Sequence, residues 1–261
     1  MNRIEETFRR LSAAGETALV GFVTAGDPDA ERSLAVCSAL CAGGVDVLEL
    51  GVPFSDPTAD GPVIQAAANR ALAGGATVGD ILAMVAELRP AVAAPLVLMT
   101  YYNPVLQQGL ESFCRRAAES GVDGMIVPDL PYEESEPLLN CADRYGIDLI
   151  PLVAPTSTRP RVAAICARAR GFIYCVSVTG VTGIRDKIET DLKGLSSLIR
   201  EHTSLPVAIG FGVSSPEAAA RIAPFCDAVV VGSALVRLIG ERAFGEVGRF
   251  TAALKQALCS G

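Results

Sequence analysis

Short apolar runs alternate with longer segments of helical periodicity along the whole chain, and this alternation constrains the fold more than any other feature. The predicted strands are eight apolar runs at 18–24, 45–50, 95–101, 124–130, 148–154, 171–177, 206–212 and 228–234. The clearest helical segments lie between them at 29–41, 110–120, 134–145, 161–169, 192–202 and 216–223. Strands that alternate with helices predict βαβ units and a parallel sheet. Eight such units in 261 residues fit a (β/α)8 barrel, the TIM barrel.

The chain is organised as one domain. No change in composition and no linker divides it, so we predict a single α/β TIM-barrel domain over residues 1–261. The first residues, MNRIEETFRRL, predict an additional amphipathic helix before the first strand. A doubly wound open sheet is the alternative architecture, because it is built from the same βαβ units.

The composition excludes several classes of protein. A net charge of -7 argues against nucleic-acid binding, because phosphate backbones are bound chiefly by clustered Lys and Arg. The 8 cysteines form no CxxC pair, which favours free thiols in a reducing compartment over disulfides or a zinc site. No apolar run reaches the length of a membrane span. We therefore expect a cytoplasmic protein that binds neither nucleic acid nor membranes.

The scarcity of histidine and lysine narrows the chemistry. The single histidine, His202, is predicted at the end of the helix before strand seven, on the face opposite a barrel active site. The lysines are Lys187, Lys193 and Lys255, and none lies on a predicted strand. Imidazole catalysis, His-rich metal sites and a Schiff base on a strand lysine are therefore disfavoured. Carboxylate, phenol and thiol groups remain for proton transfer.

Glu49 is the strongest catalytic candidate. In VDVLELG, a period of two puts Val45, Val47 and Glu49 on one face of the strand. Leu48 and Leu50 occupy the other face and suit the helix layer. Glu49 is therefore expected to point into the mouth of the barrel, where its surroundings can raise its pKa. A buried ion pair with an arginine is the alternative.

Two aspartates follow in the connection after strand two, GVPFSDPTADGP. Asp56 or Asp60 could come within reach of a ligand above Glu49, and two carboxylates in different environments commonly take separate acid and base roles. A turn-stabilising role is the alternative for each aspartate. The connection after strand six, VTGVTGIRDKIETD, is polar and contains glycine, so it could close over a ligand. Flexible surface loops are the alternative interpretation of both connections.

Two glycine-bearing turns near the C-terminus predict a phosphate site. Strands seven and eight each run into Gly and Ser just before a helix, in AIGFGVSSPE and VVVGSALV. Backbone N–H groups at helix N-termini bind anions, and in barrels this pair of loops frequently forms a phosphate site. Gly212, Gly232 and Ser233 are the candidates, and Gly183 in the strand-six connection could add one amide. Turn glycines and an N-cap serine are the alternative.

Three further polar residues lie on or at the ends of strands. Tyr174 alternates with Phe172 and Val176, so it points inward from strand six or only packs in the core. Asp129 and Asn103 end strands four and three, where they line the mouth of the barrel or cap turns.

Six motifs together resemble the tryptophan synthase alpha chain family. They are LELGVPFSDPTADGPVIQ, LMTYYNPV, VPDLPYEE, FIYCVSVTGVTG, IGFGVSSPE and VVVGSALV, in this order and at these spacings. The resemblance runs from the N-terminal helix to the final helix. The first motif is highly specific, whereas the glycine motifs are shared with other phosphate-binding barrels. The Tyr101-Tyr102 pair, Cys175 and the basic stretch TSTRPRVAAI depart from the family's pattern.

The resemblance implies a carbon-carbon lyase of tryptophan biosynthesis, which cleaves indole-3-glycerol phosphate to indole and glyceraldehyde 3-phosphate. It assigns proton transfer between indole C3 and the glycerol hydroxyl to Glu49, and stabilisation of the indole N–H to ionised Asp60. The implied substrate contacts are Phe22, Met99, Ile126, Tyr174 and Thr182, and the implied phosphate ligands are Gly183, Gly212, Gly232 and Ser233. Thr182 would bridge to Asp60 when the connection closes. No metal takes part in this chemistry.

The resemblance also implies a partner. The family works with a beta chain, which holds pyridoxal phosphate (PLP) and receives indole through a tunnel in an alpha2-beta2 tetramer. This chain is therefore expected to carry no cofactor of its own. Pro53, Asp56 and Asn103 would face the beta chain.

Three alternative functions make different predictions. A stand-alone lyase of the same family would release indole rapidly without a beta chain. A phosphate-binding barrel prenyltransferase would need Mg2+ held by carboxylates and would be sensitive to a chelator. A non-catalytic binding subunit would tolerate replacement of Glu49 and Asp60.

Overall fold

The computed structural model describes residues 2–176, 185–210 and 212–259. The strands in those residues are β1 (Ala18–Thr24), β2 (Val47–Gly51), β3 (Leu96–Met99), β4 (Gly124–Ile126), β5 (Asp148–Leu149), β6 (Leu152–Val153), β7 (Ile173–Val176), β8 (Val207–Gly210) and β9 (Ala228–Val231). They pair in parallel in one sheet with the order β5-β4-β3-β2-β1-β9-β8-β7-β6.

The two ends of this order are halves of one chain segment, and this closes the sheet. β5 pairs with β4 and β6 pairs with β7, while only Ile150 and Pro151 separate β5 from β6. The Ile150 N–H donates to the Met125 carbonyl (2.9 Å), and the Tyr174 N–H donates to the Pro151 carbonyl (3.0 Å). The fold is the predicted barrel. The doubly wound alternative is wrong, because the strands follow one another in chain order around the ring and β9 lies beside β1.

The predicted strand at 148–154 is divided in the structure, and proline is the physical reason. Pro151 has no N–H to donate to the ladder, so the regular pairing stops at Leu149 and resumes at Leu152. The strand predicted at 124–130 is also shorter, and it ends at Ile126 ahead of Pro128.

The described residues contain twelve α-helices, most of which connect one strand to the next. They are α1 (Arg3–Ala14), α2 (Ala30–Ala42), α3 (Pro62–Ala73), α4 (Val78–Leu88), α5 (Tyr102–Gln108), α6 (Leu110–Ser120), α7 (Glu136–Arg144), α8 (Arg159–Arg168), α9 (Arg185–Arg200), α10 (Pro216–Ile222), α11 (Ser233–Gly240) and α12 (Phe244–Cys259). α6 has its predicted limits, whereas α9 begins at 185 rather than 192. The basic stretch at 156–165 contains the start of α8, with a proline in its first turn.

No single described helix is long and apolar enough to cross a membrane, although α3 and the segment Val78–Ala91, bent by 98°, pass that test as a pair.

Side chains of the strands divide between the barrel interior and the helix layer. In β2, Val47 belongs to the cluster inside the barrel, the interior cluster, which also contains Val20 of β1 and Val97 of β3. Leu48 and Leu50 pack with the helices instead, as the period of two predicts. Val45 is an exception because it precedes the strand, and it packs in the outer layer instead. The predicted alternation therefore holds where the backbone is regular, which includes Glu49.

The N-terminal helix closes one end of the barrel. Ile4, Phe8 and Leu11 of α1 are buried in the interior cluster. The Asn2 side chain accepts from the Ile4 N–H (2.7 Å) and donates to the Asp148 carboxylate (2.6 Å) at the start of β5. Because α1 covers the N-terminal ends of the strands, the opposite end is the one left for a ligand.

Candidate active site

Glu49 lies near the C-terminal end of β2, on the same face as the interior residue Val47. It is fully buried, and within the described part of the chain neither carboxylate oxygen has a hydrogen-bond partner. The alternative ion pair with an arginine does not form among those residues. Burial, reinforced by the charge of Asp60, raises the pKa of Glu49 to about 8. Glu49 is therefore mostly protonated at neutral pH, and both oxygens are available to a ligand.

Asp60 and Tyr174 share the electrostatic environment of Glu49. Burial raises the pKa of Asp60, and an interaction with the Tyr101 hydroxyl acts in the opposite direction. Tyr174 on β7 belongs to the interior cluster, and burial together with the charges of Glu49 and Asp60 raises its pKa. Asp56 is exposed. Of the two aspartates in this loop, Asp60 is therefore the one that the structure brings to Glu49.

The loop after β2 is fixed by a tyrosine whose role was not recognised from the sequence. The Tyr101 side chain is buried, and its hydroxyl accepts a hydrogen bond from the Ala59 N–H (3.0 Å). Its ring lies 5.2 Å from the Phe54 ring, measured between centroids. At the other end of the loop, the Gln65 side chain donates to the Asp60 carbonyl (2.8 Å). These contacts define the backbone on both sides of Asp60.

Three apolar residues lie near Glu49 in the register of neighbouring strands. Phe22 of β1 is opposite Glu49 in the strand register, Met99 of β3 is opposite Gly51, and Ile126 of β4 is opposite Met99. A Cβ atom on Gly51 would lie 2.6 Å from the Phe22 ring, so only glycine allows the ring its position there. Phe22, Met99 and Ile126 therefore line the same mouth of the barrel, and Phe22 and Ile126 are buried.

The two glycine turns follow neighbouring strands, β8 and β9. Gly212 is exposed and has a φ of 52°, a left-handed conformation that glycine adopts without strain. Gly232 is the N-cap of α11, and the Val236 N–H donates to the Gly232 carbonyl (3.0 Å). The N–H groups of the first turn, beginning at Ser233, are not used by the ladder of that helix, and such groups bind anions. Thr182 and Gly183 lie outside the described residues.

The remaining candidates at this end of the barrel face solvent or cap a helix. The Asp129 carboxylate accepts from the Tyr102 N–H (2.8 Å) at the start of α5, so it caps a helix. Asn103 on α5 and Asp56 are exposed, and Pro53 is half-buried. These residues are accessible to another molecule beside the mouth.

Other reactive groups lie away from this mouth. Cys175 packs in the outer layer behind Tyr174, and burial raises the pKa of its thiol to about 12. His202 lies between α9 and β8, at the N-terminal end of the sheet, as predicted. Across the described segments, no three His, Cys, Asp or Glu side chains form a group that could hold a metal ion. Carboxylates and phenols are the ionisable groups that the described part of the chain places at the mouth.

Comparison with known proteins gives consistent similarity over nearly the full chain. The sequence model of the family described as "Tryptophan synthase alpha chain" matches residues 8–258. The tryptophan synthase alpha chain of Carboxydothermus hydrogenoformans is 50% identical over 92% of this chain and 90% of its own length. The crystal structure of the alpha chain from Legionella pneumophila has a TM-score of 0.92 at 36% identity, covering 99% of this chain and 97% of that one. Tryptophan synthase from M. tuberculosis, in an aminoacrylate- and BRD0059-bound form, has a TM-score of 0.91 at 37% identity and 98% coverage of both chains.

Proposed function

The chain belongs to the tryptophan synthase alpha chain family, and on that premise we propose that Glu49 and Asp60 are its catalytic pair. The chain is a carbon-carbon lyase that cleaves indole-3-glycerol phosphate to indole and glyceraldehyde 3-phosphate. The observation that carries the residue assignment is the state of Glu49. It is a fully buried acid with a pKa of about 8 and two oxygens without a partner in the described chain.

Glu49 would serve first as an acid and then as a base. Its proton passes to indole C3, which leaves a positive charge on the ring nitrogen. Glu49, now ionised, removes the proton from the glycerol hydroxyl next to the breaking bond. The carbon-carbon bond then breaks as the hydroxyl oxygen becomes the aldehyde oxygen and the bonding electrons return to the indole ring. Glu49 ends protonated, so one carboxyl group completes the cycle.

Asp60 would stabilise the intermediate of this reaction. An ionised carboxylate accepts a hydrogen bond from the indole N–H and becomes a stronger partner as positive charge develops there. Glu49 and Asp60 then have opposite protonation states, which agrees with the complete burial of Glu49 and the partial exposure of Asp60.

The rest of the pocket suits an aromatic phosphate ester. We propose that Phe22, Met99, Ile126 and Tyr174 contact the indole ring, in view of their shared position around Glu49. Gly212, Gly232 and Ser233 would bind the phosphate through backbone N–H groups, in view of the free first turn of α11. Thr182 and Gly183 remain assignments from the family resemblance.

Ser233→Asp tests the phosphate assignment. We expect KM to rise about tenfold or more, because a carboxylate at the first turn of α11 repels the phosphate that this turn attracts. The same charge favours the helix N-terminus and should leave the melting temperature unchanged or slightly higher. Steady-state kinetics and thermal unfolding measure the two effects. Ser233→Asn is the matched neutral control, and an equal rise in KM for both variants would argue against the assignment.

The partner of this chain is the tryptophan synthase beta chain, and the PLP cofactor belongs to that chain. We propose that Pro53, Asp56 and Asn103 face it in an alpha2-beta2 assembly. All three lie at the mouth end of the barrel, and Asp56 and Asn103 are exposed. A partner seated there would cover the route by which indole leaves the site.

We further propose that residues 1–261 form one domain and that the protein is cytoplasmic. α1 packs into the barrel interior and α12 packs on α2 and α10, so both ends of the chain contribute to one fold. All 8 cysteines are free thiols, as is typical of a reducing compartment.

Indole release from indole-3-glycerol phosphate is the direct test of the proposed function. We expect slow release by the purified chain, a sharp rise when the beta chain is added, and no effect of a chelator in either case. Fast release without the beta chain would instead indicate a stand-alone lyase. Chelator sensitivity would indicate metal chemistry, and no release under any condition would contradict the proposal.

A further inference from the structure

Tyr101 connects two parts of the chain that meet at Asp60. It follows β3, directly before α5, and its side chain is only 4% exposed. Its hydroxyl accepts the N–H of Ala59, the residue next to Asp60 and 42 positions away in the sequence. This bond therefore fixes the backbone from which the Asp60 side chain projects.

The chemistry of the phenol suits an ionised neighbour. A phenol has one O–H donor as well as acceptor lone pairs, and one lone pair here is taken by Ala59. The donor remains available to Asp60, and the interaction with Tyr101 lowers the pKa of Asp60 against the effect of burial. A hydrogen bond donated to a carboxylate favours its charged form.

Tyr101 itself is held rigidly. Its ring packs against Phe54, and it is the N-cap residue of α5, whose first turn is fixed by the Tyr102 N–H bond to Asp129. A donor that is already in position needs no rearrangement when substrate binds. The hydroxyl can therefore offer its O–H to Asp60 from the same position before and after substrate binds.

We propose that Tyr101 is a positioning residue that acts through Asp60, by fixing the loop backbone at Ala59 and by offering its O–H to the Asp60 carboxylate. This proposal rests on the proposed function for its catalytic consequence, because only an ionised Asp60 can accept the indole N–H. Its effect on Asp60 belongs to the free protein and can be measured without turnover.

A titration of the Asp60 carboxyl carbon by NMR tests the effect directly. In protein labelled with 13C at aspartate, Asp60→Asn identifies the signal. We expect Tyr101→Phe, which keeps the ring and removes the hydroxyl, to raise the pKa of Asp60. The other titratable groups that act on this site are Glu49 of β2 and Tyr174 of β7, and Asp129 acts on Tyr101. Tyr102→Phe keeps these groups and is the matched control, for which the Asp60 titration should not move.

Kinetics test whether Tyr101 acts through Asp60. We expect Tyr101→Phe to lower kcat/KM roughly tenfold to a hundredfold, the effect of losing a hydrogen bond to a charged group. The acid limb of the pH profile should move to higher pH. In an Asp60→Asn background, Tyr101→Phe should lower kcat/KM much less, because Tyr101 acts through the carboxylate that is already absent.

The outcomes separate the two proposals. An unchanged Asp60 titration in Tyr101→Phe overturns the positioning role, and so does an equal loss of activity in both backgrounds. A shifted titration in a protein that releases no indole supports the positioning role and contradicts the proposed function instead.

Discussion

Glu49→Gln is expected to lower kcat for indole release by about a thousandfold or more. Glutamine keeps the shape of the buried side chain but can neither give a proton to indole C3 nor take one from the glycerol hydroxyl. Because one group performs both transfers, no second residue compensates. Single-turnover indole release measures the loss. Glu87→Gln, an exposed glutamate on α4, is the matched control and should behave as the unaltered chain does. Substantial cleavage by Glu49→Gln would refute the assigned role.

The same variant should change the pH dependence of stability. The folded state holds the Glu49 proton up to a pKa of about 8, whereas an unfolded chain releases it near 4.5. The unaltered protein therefore loses stability as pH rises from 4.5 through 8, because its unfolded state binds fewer protons. Glutamine has no such ionisation. We expect the melting temperature of Glu49→Gln, relative to that of the unaltered chain, to increase between pH 5 and pH 8.5. A difference in melting temperature that stays constant over this range would contradict the raised pKa of Glu49.

Asp60→Asn is expected to lower kcat about a hundredfold while binding of a phosphate-bearing ligand is retained. Asparagine still offers a carbonyl oxygen to the indole N–H, but the negative charge that stabilises the intermediate is lost. The charge of Asp60 also raises the pKa of Glu49, so its removal should move the alkaline limb of the pH profile to lower pH. Steady-state kinetics across pH measure both effects.

Two controls bear on the Asp60 result. Asp143→Asn, at an exposed position on α7, should leave turnover and the pH profile unchanged. The far-ultraviolet circular dichroism of Asp60→Asn should match that of the unaltered chain. Loss of the fold would identify a structural carboxylate, and an unmoved alkaline limb would show that Asp60 and Glu49 do not interact.

Local regularity determined which features could be predicted from the sequence. The orientation of Glu49 followed from a period of two because β2 is a regular strand through that residue. The same pattern was wrong for Val45, which lies ahead of the strand, and it missed the division of the fifth strand at Pro151. Periodicity describes a regular backbone and carries no signal where that backbone begins, ends or breaks.

Contacts between distant residues could not be predicted in this way. Periodicity leaves the choice between Asp56 and Asp60 open, because that choice depends on the path of the loop after β2, and only the family resemblance assigned the role to Asp60. The sequence marks Tyr101 only as part of a departure from the family's pattern, because no sequence pattern indicates a bond between its hydroxyl and Ala59. The pKa of Glu49 likewise depends on burial by several strands at once, which no single segment encodes.

The divided strand formed by β5 and β6 is also the seam of the barrel, the place where the two ends of the sheet meet. Each half has two residues and pairs with one neighbouring strand. The divided strand is therefore attached to the rest of the sheet by fewer ladder hydrogen bonds than β1 or β2. If it came away, β4 and β7 would each expose an unpaired strand edge. Such edges are templates for pairing with other chains. Intermolecular aggregation of a partly opened barrel should therefore start at this seam, on the side of the ring away from β1.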